Sequence, residues 1–168
     1  MWQMQHMVIT TMKKLIKDRI HYTEGMFFQI RITSRYLTLM GNQVFEKLNI
    51  NISFEEYLIL DIISYNEGIC HRDLAKMLLR DRSNIGKIVS SLEKQGLITI
   101  KVDIRNNRMI KRIYITEEGI KLCNELYIKL APYIKVFNEN INKEEQNLIC
   151  NHLTKCRQLL EEIVKTGI

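Results

Sequence analysis

Apolar residues recur along this chain with two different periods, and each period predicts a different kind of element. Over residues 7 to 20 and 24 to 48 they return every three or four positions, which predicts two amphipathic helices. Ser53 and Glu56 stand three positions apart before another apolar run, a spacing that predicts a capping box at the start of a third helix. A short fourth helix is predicted over residues 71 to 79.

The next stretch, DRSNIGKIVSSLEKQGLI at residues 81 to 98, also has the period of a helix. Its apolar positions are Ile85, Ile88, Val89 and Leu92. Asp81 and Ser83 are expected to cap the first turn, and Gly96 is expected to end the helix in a left-handed conformation. The opposite face carries short or basic residues, namely Arg82, Asn84, Gly86, Lys87, Ser90 and Ser91. An ordinary solvent face carries long Glu–Lys pairs, so this face is suited to close approach by a partner.

After Gly96 the period falls to two. The stretch LITIKVDIRNNRMIKRIYIT, residues 97 to 116, alternates apolar and polar residues and predicts a β-hairpin with Asn106 and Asn107 near its turn. Thr116 is expected to cap a helix over residues 118 to 137, and Asn142 or Lys143 to begin a last helix that runs to residue 163. The order of helices, one hairpin and more helices predicts a mainly α fold with a small β element.

The charge of the chain is concentrated in one segment. The 168 residues carry a net charge of +6, with a pI of about 9.1. Residues 71 to 116 contain eleven Lys or Arg against four Asp or Glu, whereas the rest of the chain has 14 basic and 15 acidic residues. A focused basic excess of this kind is typical of a protein that binds a polyanion, usually nucleic acid.

Several other classes of protein are disfavoured by the sequence. No stretch approaches the roughly 18 to 20 apolar residues of a membrane span, and the first 20 residues do not have the pattern of a secretory signal. The four cysteines lack CxxC spacing and are expected to be reduced thiols, which favours the cytoplasm. No zinc-ligand spacing, phosphate-binding glycine loop, Ser-His-Asp arrangement or paired-carboxylate cleft is recognisable, so neither a metal, another cofactor nor an enzyme is expected.

Residues 54 to 119 resemble the multiple-antibiotic-resistance-regulator (MarR) family of transcriptional regulators. The matching pieces are D-L-A from Asp73, R-S-N-I-G-K-I-V-S-S-L-E-K-Q-G-L-I from Arg82, and N-R-M-I-K-R-I-Y-I-T-E-E-G from Asn107. Helix, tight turn, helix and basic hairpin form a winged helix-turn-helix, so the resemblance implies this fold, flanked by N- and C-terminal dimerisation helices. The signal comes from the order and spacing of the pieces together.

The resemblance implies that the helix beginning near Arg82 lies in the major groove of double-stranded DNA, while the wing enters the adjacent minor groove. Short residues allow close approach to bases, and Asn84 is suited to an adenine edge. The implied DNA-binding residues are Arg72, Arg82, Ser83, Asn84, Gly86, Lys87, Ser90, Ser91, Arg105, Asn107, Arg108 and Lys111. The family's Asp-Arg-Arg at the wing reads Asn107-Arg108-Met109 here, so the usual ion pair of the wing cannot form. Arg105 or Arg108 is then the groove arginine, and the alignment favours Arg108.

The resemblance also implies a homodimer that binds a pseudo-palindromic operator and is expected to act as a repressor. Residues 1–52 and 117–168 would supply dimerisation helices, and residues 53–116 the DNA-binding domain. Family members commonly release DNA when a small aromatic or anionic effector binds or when a thiol is oxidised. Cys70, which stands at a helix-capping position beside Arg72, is the candidate redox sensor. The alternative is a winged helix that binds protein instead of DNA.

Overall fold

The computed structural model of the chain describes residues 21–105 and 108–166, and at Arg105 and Arg108 it describes the backbone alone. The helix predicted over residues 7 to 20 lies outside this part of the chain. After a 3₁₀ turn at Tyr22–Glu24, the elements in chain order are α1 (Met26–Lys47), α2 (Phe54–Tyr65), β1 (Ile69–Cys70), α3 (His71–Met77), α4 (Arg82–Lys94), β2 (Ile98–Arg105), β3 (Arg108–Ile115), α5 (Glu117–Asn140) and α6 (Lys143–Thr166). The prediction of a mainly α fold with one small hairpin is confirmed.

Among the described residues, those up to Ile59 form one compact unit, and those from Leu60 onward form a second. In the first unit, α1 buries Val44 and Phe45 near its C-terminal end. The ring of Phe45 meets the ring of Phe54 edge-on, with 5.4 Å between the centroids. A side chain at Gly41 would collide with the Phe54 ring, so the glycine permits this close packing.

The core of the second unit is made by apolar residues at helical and strand spacing. Leu60, Ile63, Leu74, Ile85, Val89, Leu92, Ile113 and Leu126 are each less than 2% exposed. The sheet has the order β1-β3-β2 and is antiparallel throughout. Its register pairs Ile104 with Met109 and Arg105 with Arg108. The two asparagines predicted near the turn lie outside the described residues.

Three of the predicted helix caps are present. The Ser53 amide donates to Glu56 Oε2 at 2.7 Å and the Glu56 amide donates to Ser53 Oγ at 3.1 Å, which completes the capping box. Asn142 caps α6 through its side-chain oxygen, which accepts from the backbone amide three residues further along at 3.0 Å. Thr116 caps α5 by accepting from the Gly119 amide at 3.1 Å.

The prediction for the start of α4 is wrong. Asp81 has the extended backbone of an N-cap residue, but its side chain accepts no capping hydrogen bond. The Asp81 carboxylate is exposed, and a capping hydrogen bond adds little to an exposed carboxylate because water can satisfy its oxygens as well. Ser83 lies inside the helix rather than before it.

Candidate nucleic-acid interface

Helix α4 has two chemically different faces. Ile85, Val89 and Leu92 are 0% exposed and anchor the helix to the core. On the other side, Arg82, Ser83, Lys87 and Ser90 are exposed, and a Cβ added at Gly86 would meet no atom within 4 Å. The centre of the outer face therefore carries short side chains and is open to solvent, and cationic side chains surround it. These are the properties that a helix needs to lie in a major groove about 12 Å wide.

An open groove lies between the start of α3, the start of α4 and the strand β3. It is lined by Cys70, His71, Arg72, Arg82, Met109, Ile110 and Lys111. Three of these side chains, those of Arg72, Arg82 and Lys111, are basic, and the groove lies between the N-terminal end of α4 and the strand β3 of the hairpin. If α4 occupies a major groove of DNA and the hairpin occupies the next minor groove, one sugar-phosphate strand lies between them. That strand has to pass over this groove on the protein surface.

His71 supplies the imidazole of the groove. Burial, followed by the charge of Lys111, lowers the pKa of His71 below its ordinary value, whereas Glu93 acts in the opposite direction. The imidazole is thus held in its neutral form more strongly than in an unfolded chain.

The thiol of Cys70 is engaged by a carboxylate. Cys70 precedes α3 as its N-cap residue, but it makes no capping hydrogen bond; its Sγ instead donates to Asp73 Oδ2 at 3.1 Å. Arg72 Nε donates to the other oxygen of Asp73 at 3.2 Å. The hydrogen bond from Cys70, and next that from Arg72, lowers the pKa of Asp73 below its usual value.

The hairpin is braced by an arginine that lies inward. Arg112 Nε donates to Asp103 Oδ2 at 3.0 Å across the two strands, and its Nη1 donates to the Gly68 carbonyl at 2.9 Å. The Arg112 side chain is 24% exposed. Although the ion pair usual in the MarR wing is absent, Asp103 and Arg112 supply another ion pair within the same hairpin.

The predicted DNA-contacting residues fall into two described groups. Arg72, Arg82 and Lys111 come together in the groove. Ser83, Asn84, Gly86, Lys87, Ser90 and Ser91 follow one another along α4. Ser91 accepts a hydrogen bond from Gln95 Nε2 at 3.2 Å, near the end of the helix. The side chains of Arg105 and Arg108 and the whole of Asn107 lie outside the described residues.

Sequence reasoning missed three residues of this surface. His71 lines the groove, and Ile104 and Met109 are exposed by 70% and 79% near the hairpin tip. The signal for the last two was present in the sequence, because a hairpin with Asn106 and Asn107 near its turn places Ile104 and Met109 close to the tip, and the structure pairs these two residues. The lining role of His71 depends on the β1–β3 pairing, for which the sequence gives no local signal.

Comparison with known proteins identifies the family. A model of the MarR family matches residues 52–110. A protein of Bacillus subtilis (strain 168), named an uncharacterized HTH-type transcriptional regulator YybA, is 30% identical over 142 residues, which are 83% of this chain and 93% of that protein. The chain belongs to the MarR family. As a member of this family it is a DNA-binding transcriptional regulator, and its relatives are regulators rather than enzymes.

Solved structures of MarR-type regulators agree with the fold. A crystal structure of the transcriptional regulator SlyA is 25% identical, with a TM-score of 0.69 over 84% of this chain and 98% of that one. A crystal structure of an S. aureus MepR–DNA complex is 24% identical, with a TM-score of 0.66 over 84% of this chain and 99% of that one. The winged helix-turn-helix is therefore confirmed. Within residues 21–105 and 108–166, no helix has the length and apolar character needed to cross a membrane.

Proposed function

We propose that the chain is a homodimeric repressor in the cytoplasm that binds a pseudo-palindromic operator, with α4 in the major groove and the β2–β3 hairpin in the adjacent minor groove. The observation that carries this proposal is the contrast between the faces of α4: three apolar residues are fully buried, and the opposite face is short, open at Gly86 and cationic. A dimer bound at a promoter would repress by excluding polymerase from the same DNA.

Each residue of the interface receives a role from its position and chemistry. Asn84, half-buried near the start of α4, is suited to a bidentate pair with an adenine edge. Arg82 and Lys87 are suited to guanine or phosphate, whereas Gly86, Ser90 and Ser91 allow the helix to approach the bases. Arg72 and Lys111 line the groove on the protein surface and would bind the phosphates of the DNA strand that passes over it. Ser83 would donate to a phosphate at the start of the helix, and Arg105, Asn107 and Arg108 would act in the minor groove, with Arg108 as the groove arginine.

The homodimer is supported by apolar surface that the helices of a single chain leave exposed. Helix α6 has no buried residue along Lys143–Thr166, although Leu148, Leu153, Leu159 and Ile163 recur along it with exposures of 45% to 57%. A helix of this composition requires a partner, because it would otherwise expose a continuous apolar stripe to water. Helix α1 separately exposes Phe27, Tyr36 and Leu39 by 50% or more. We assign residues 1–52 and 117–168 to dimerisation and residues 53–116 to DNA binding.

Operator recognition by α4 is tested by replacing Asn84 with alanine. Asn84→Ala should weaken binding to a selected operator by about 1–3 kcal/mol and relax preference at one base position, with little effect on random DNA. Arg108→Ala serves as a comparison, because loss of a minor-groove arginine should weaken binding strongly and flatten the salt dependence. Equal loss on operator and random DNA for Asn84→Ala would contradict its role as a base-reading residue.

We propose two candidate signals for the release of DNA. A small aromatic or anionic effector would compete for the cationic groove, and oxidation of Cys70 would break its hydrogen bond to Asp73. The redox signal is tested by measuring release of the operator after peroxide treatment in Cys70→Ser and in the control Cys150→Ser. Cys150 is the exposed cysteine of α6. Release that is abolished only by Cys70→Ser would support the redox signal, and release that persists in both variants would exclude it.

A further inference from the structure

One face of the hairpin stays apolar after it has left the core. At the base of the hairpin this face holds Ile98 and Ile113, which are 2% and 0% exposed. Further along the same face, towards the tip, Val102 is 59% exposed. At the tip Ile104 and Met109 lie opposite one another on the two strands, and they are 70% and 79% exposed. Three neighbouring apolar side chains on a protruding hairpin cannot be explained as core residues, and they form a patch rather than a single exposed hydrophobe.

The surroundings of this apolar tip are cationic. Lys111 pairs with Val102 on the same face. The next residues towards the turn are Arg105 and Arg108, one on each strand. An apolar tip flanked by basic residues is the chemistry of side chains that enter the minor groove of DNA, where apolar residues contact sugars and base edges while cations meet the negative potential.

We propose that the Ile104–Met109 pair is an apolar wedge that enters the minor groove, partly unstacks a base step and bends the operator towards the major groove. The proposal rests on the proposed function, in which the hairpin reaches the minor groove. It changes the expected role of the hairpin: the position that carries arginine in the MarR pattern carries Met109 here, so an apolar contact replaces an ionic one.

A wedge has a consequence for the operator sequence. Pyrimidine–purine steps such as TA and CA unstack more easily than others, so the deformation is least costly where one of them lies beneath the wing. Because the deformation energy depends on the step, the hairpin would contribute sequence preference at a position where it makes no hydrogen bond to a base. We expect a TA or CA step in each half of the operator, outside the bases read by α4.

The wedge is distinguished from an ionic wing by the salt dependence of binding. Phosphate contacts release counterions and weaken as salt rises, whereas apolar contacts do not. The double variant Ile104→Thr, Met109→Thr keeps residues suited to β-strands and removes the apolar tip. On an operator selected from random duplexes, we expect it to lose affinity about tenfold or more, with an unchanged slope of log K against log salt. The bend, measured by energy transfer between dyes at the duplex ends, should decrease.

Lys111→Gln is the matched control on the same face of the hairpin. It should reduce the salt slope by about one and leave the bend unchanged. The thermal midpoint of each variant checks that the fold is intact, which is expected because both tip positions are exposed. A second measurement uses the fluorescent base 2-aminopurine, placed at the TA or CA step, to report base unstacking. Its fluorescence should rise when the wild-type protein binds and should not rise with the double variant.

The outcomes separate this proposal from the one on which it rests. If the double variant binds and bends the operator like the wild type, the wedge is overturned while the regulator remains. The wedge is also overturned if the double variant changes self-association in sedimentation without changing DNA binding, because the tip would then be a contact between protein copies. If the wild-type chain does not distinguish the selected operator from shuffled DNA, the proposed function itself fails.

Discussion

Three helices end with the same backbone motif but with three different residues in the left-handed position. Asn49 follows α1 with φ of 50°, Leu79 follows α3 with φ of 50°, and Gly96 follows α4 with φ of 71°. In each case the left-handed residue and the one after it donate to carbonyls of the last turn at 3.0 to 3.3 Å. This is the Schellman motif, in which glycine is the usual residue. Leucine is the least suited of the three because its Cβ crowds the following carbonyl.

Leu79→Gly should therefore stabilise the protein. The left-handed conformation costs a residue with a Cβ roughly 1–2 kcal/mol. Because Leu79 is 89% exposed, burial of its side chain contributes little stabilisation to offset this strain. Glycine adds roughly 0.5–1 kcal/mol of chain entropy to the unfolded state, which leaves a net gain of about 0.5–1 kcal/mol. For a chain of this length the midpoint of thermal unfolding should rise by about 1–4 °C.

The assay is urea and thermal unfolding of wild type, Leu79→Gly and Leu79→Ala at one fixed protomer concentration, because dimerisation makes stability depend on concentration. Leu79→Ala keeps the Cβ and should leave the free energy of unfolding nearly unchanged. Gly96→Ala is the mirror experiment: nothing lies within 4 Å of the added Cβ, so its loss of about 1 kcal/mol would come from the backbone alone. If Leu79→Gly is no more stable than Leu79→Ala, the argument from backbone strain is refuted.

Three further results are expected from the thiols, the groove and the hairpin. Burial raises the pKa of Cys123 to about 11, so iodoacetamide at pH 8 should label exposed Cys150 first, and equal labelling of the two by mass spectrometry would contradict this. Because the pKa of His71 is lowered by folding, the unfolded chain takes up its proton first as the pH falls below about 6.5 and stability decreases. His71→Gln should reduce that loss between pH 7 and 5 in urea unfolding, whereas an unchanged pH profile would exclude His71 as its source. Arg112→Leu should cost about 1–3 kcal/mol in urea unfolding because it removes one donor to the Asp103 carboxylate and the side-chain donor to the Gly68 carbonyl. Wild-type stability of this variant would show that Arg112 does not stabilise the hairpin.

The sequence predicts best those features that depend on a few neighbouring residues. The capping box at Ser53 and Glu56, the left-handed Gly96 and the cap at Thr116 each follow from local chemistry, and all three are present. The buried face of α4 follows from the spacing of its apolar residues, because one side of a regular helix faces one environment.

The features that sequence reasoning missed depend on competition between partners or on contacts far apart in the chain. Asp81 has the right residue type for a cap, but its exposed carboxylate makes no capping hydrogen bond, and water is an equivalent partner for an exposed carboxylate. Arg112 is one of the eleven basic residues between positions 71 and 116, yet its side chain donates inward to the carbonyl of Gly68, 44 positions earlier in the chain. Leu79 takes a conformation that leucine disfavours because the geometry of the helix-turn-helix requires a left-handed residue there.

The most direct test of the central claim is fluorescence anisotropy of the full chain with two duplexes, one from upstream of its own gene and one with the same bases shuffled. Both are titrated at low and near-physiological salt. The account predicts that binding to the upstream duplex survives the higher salt, while binding to the shuffled duplex falls steeply as phosphate contacts are screened. Absence of binding to either duplex at low salt would contradict it, because the cationic face of α4 would then have no affinity for DNA.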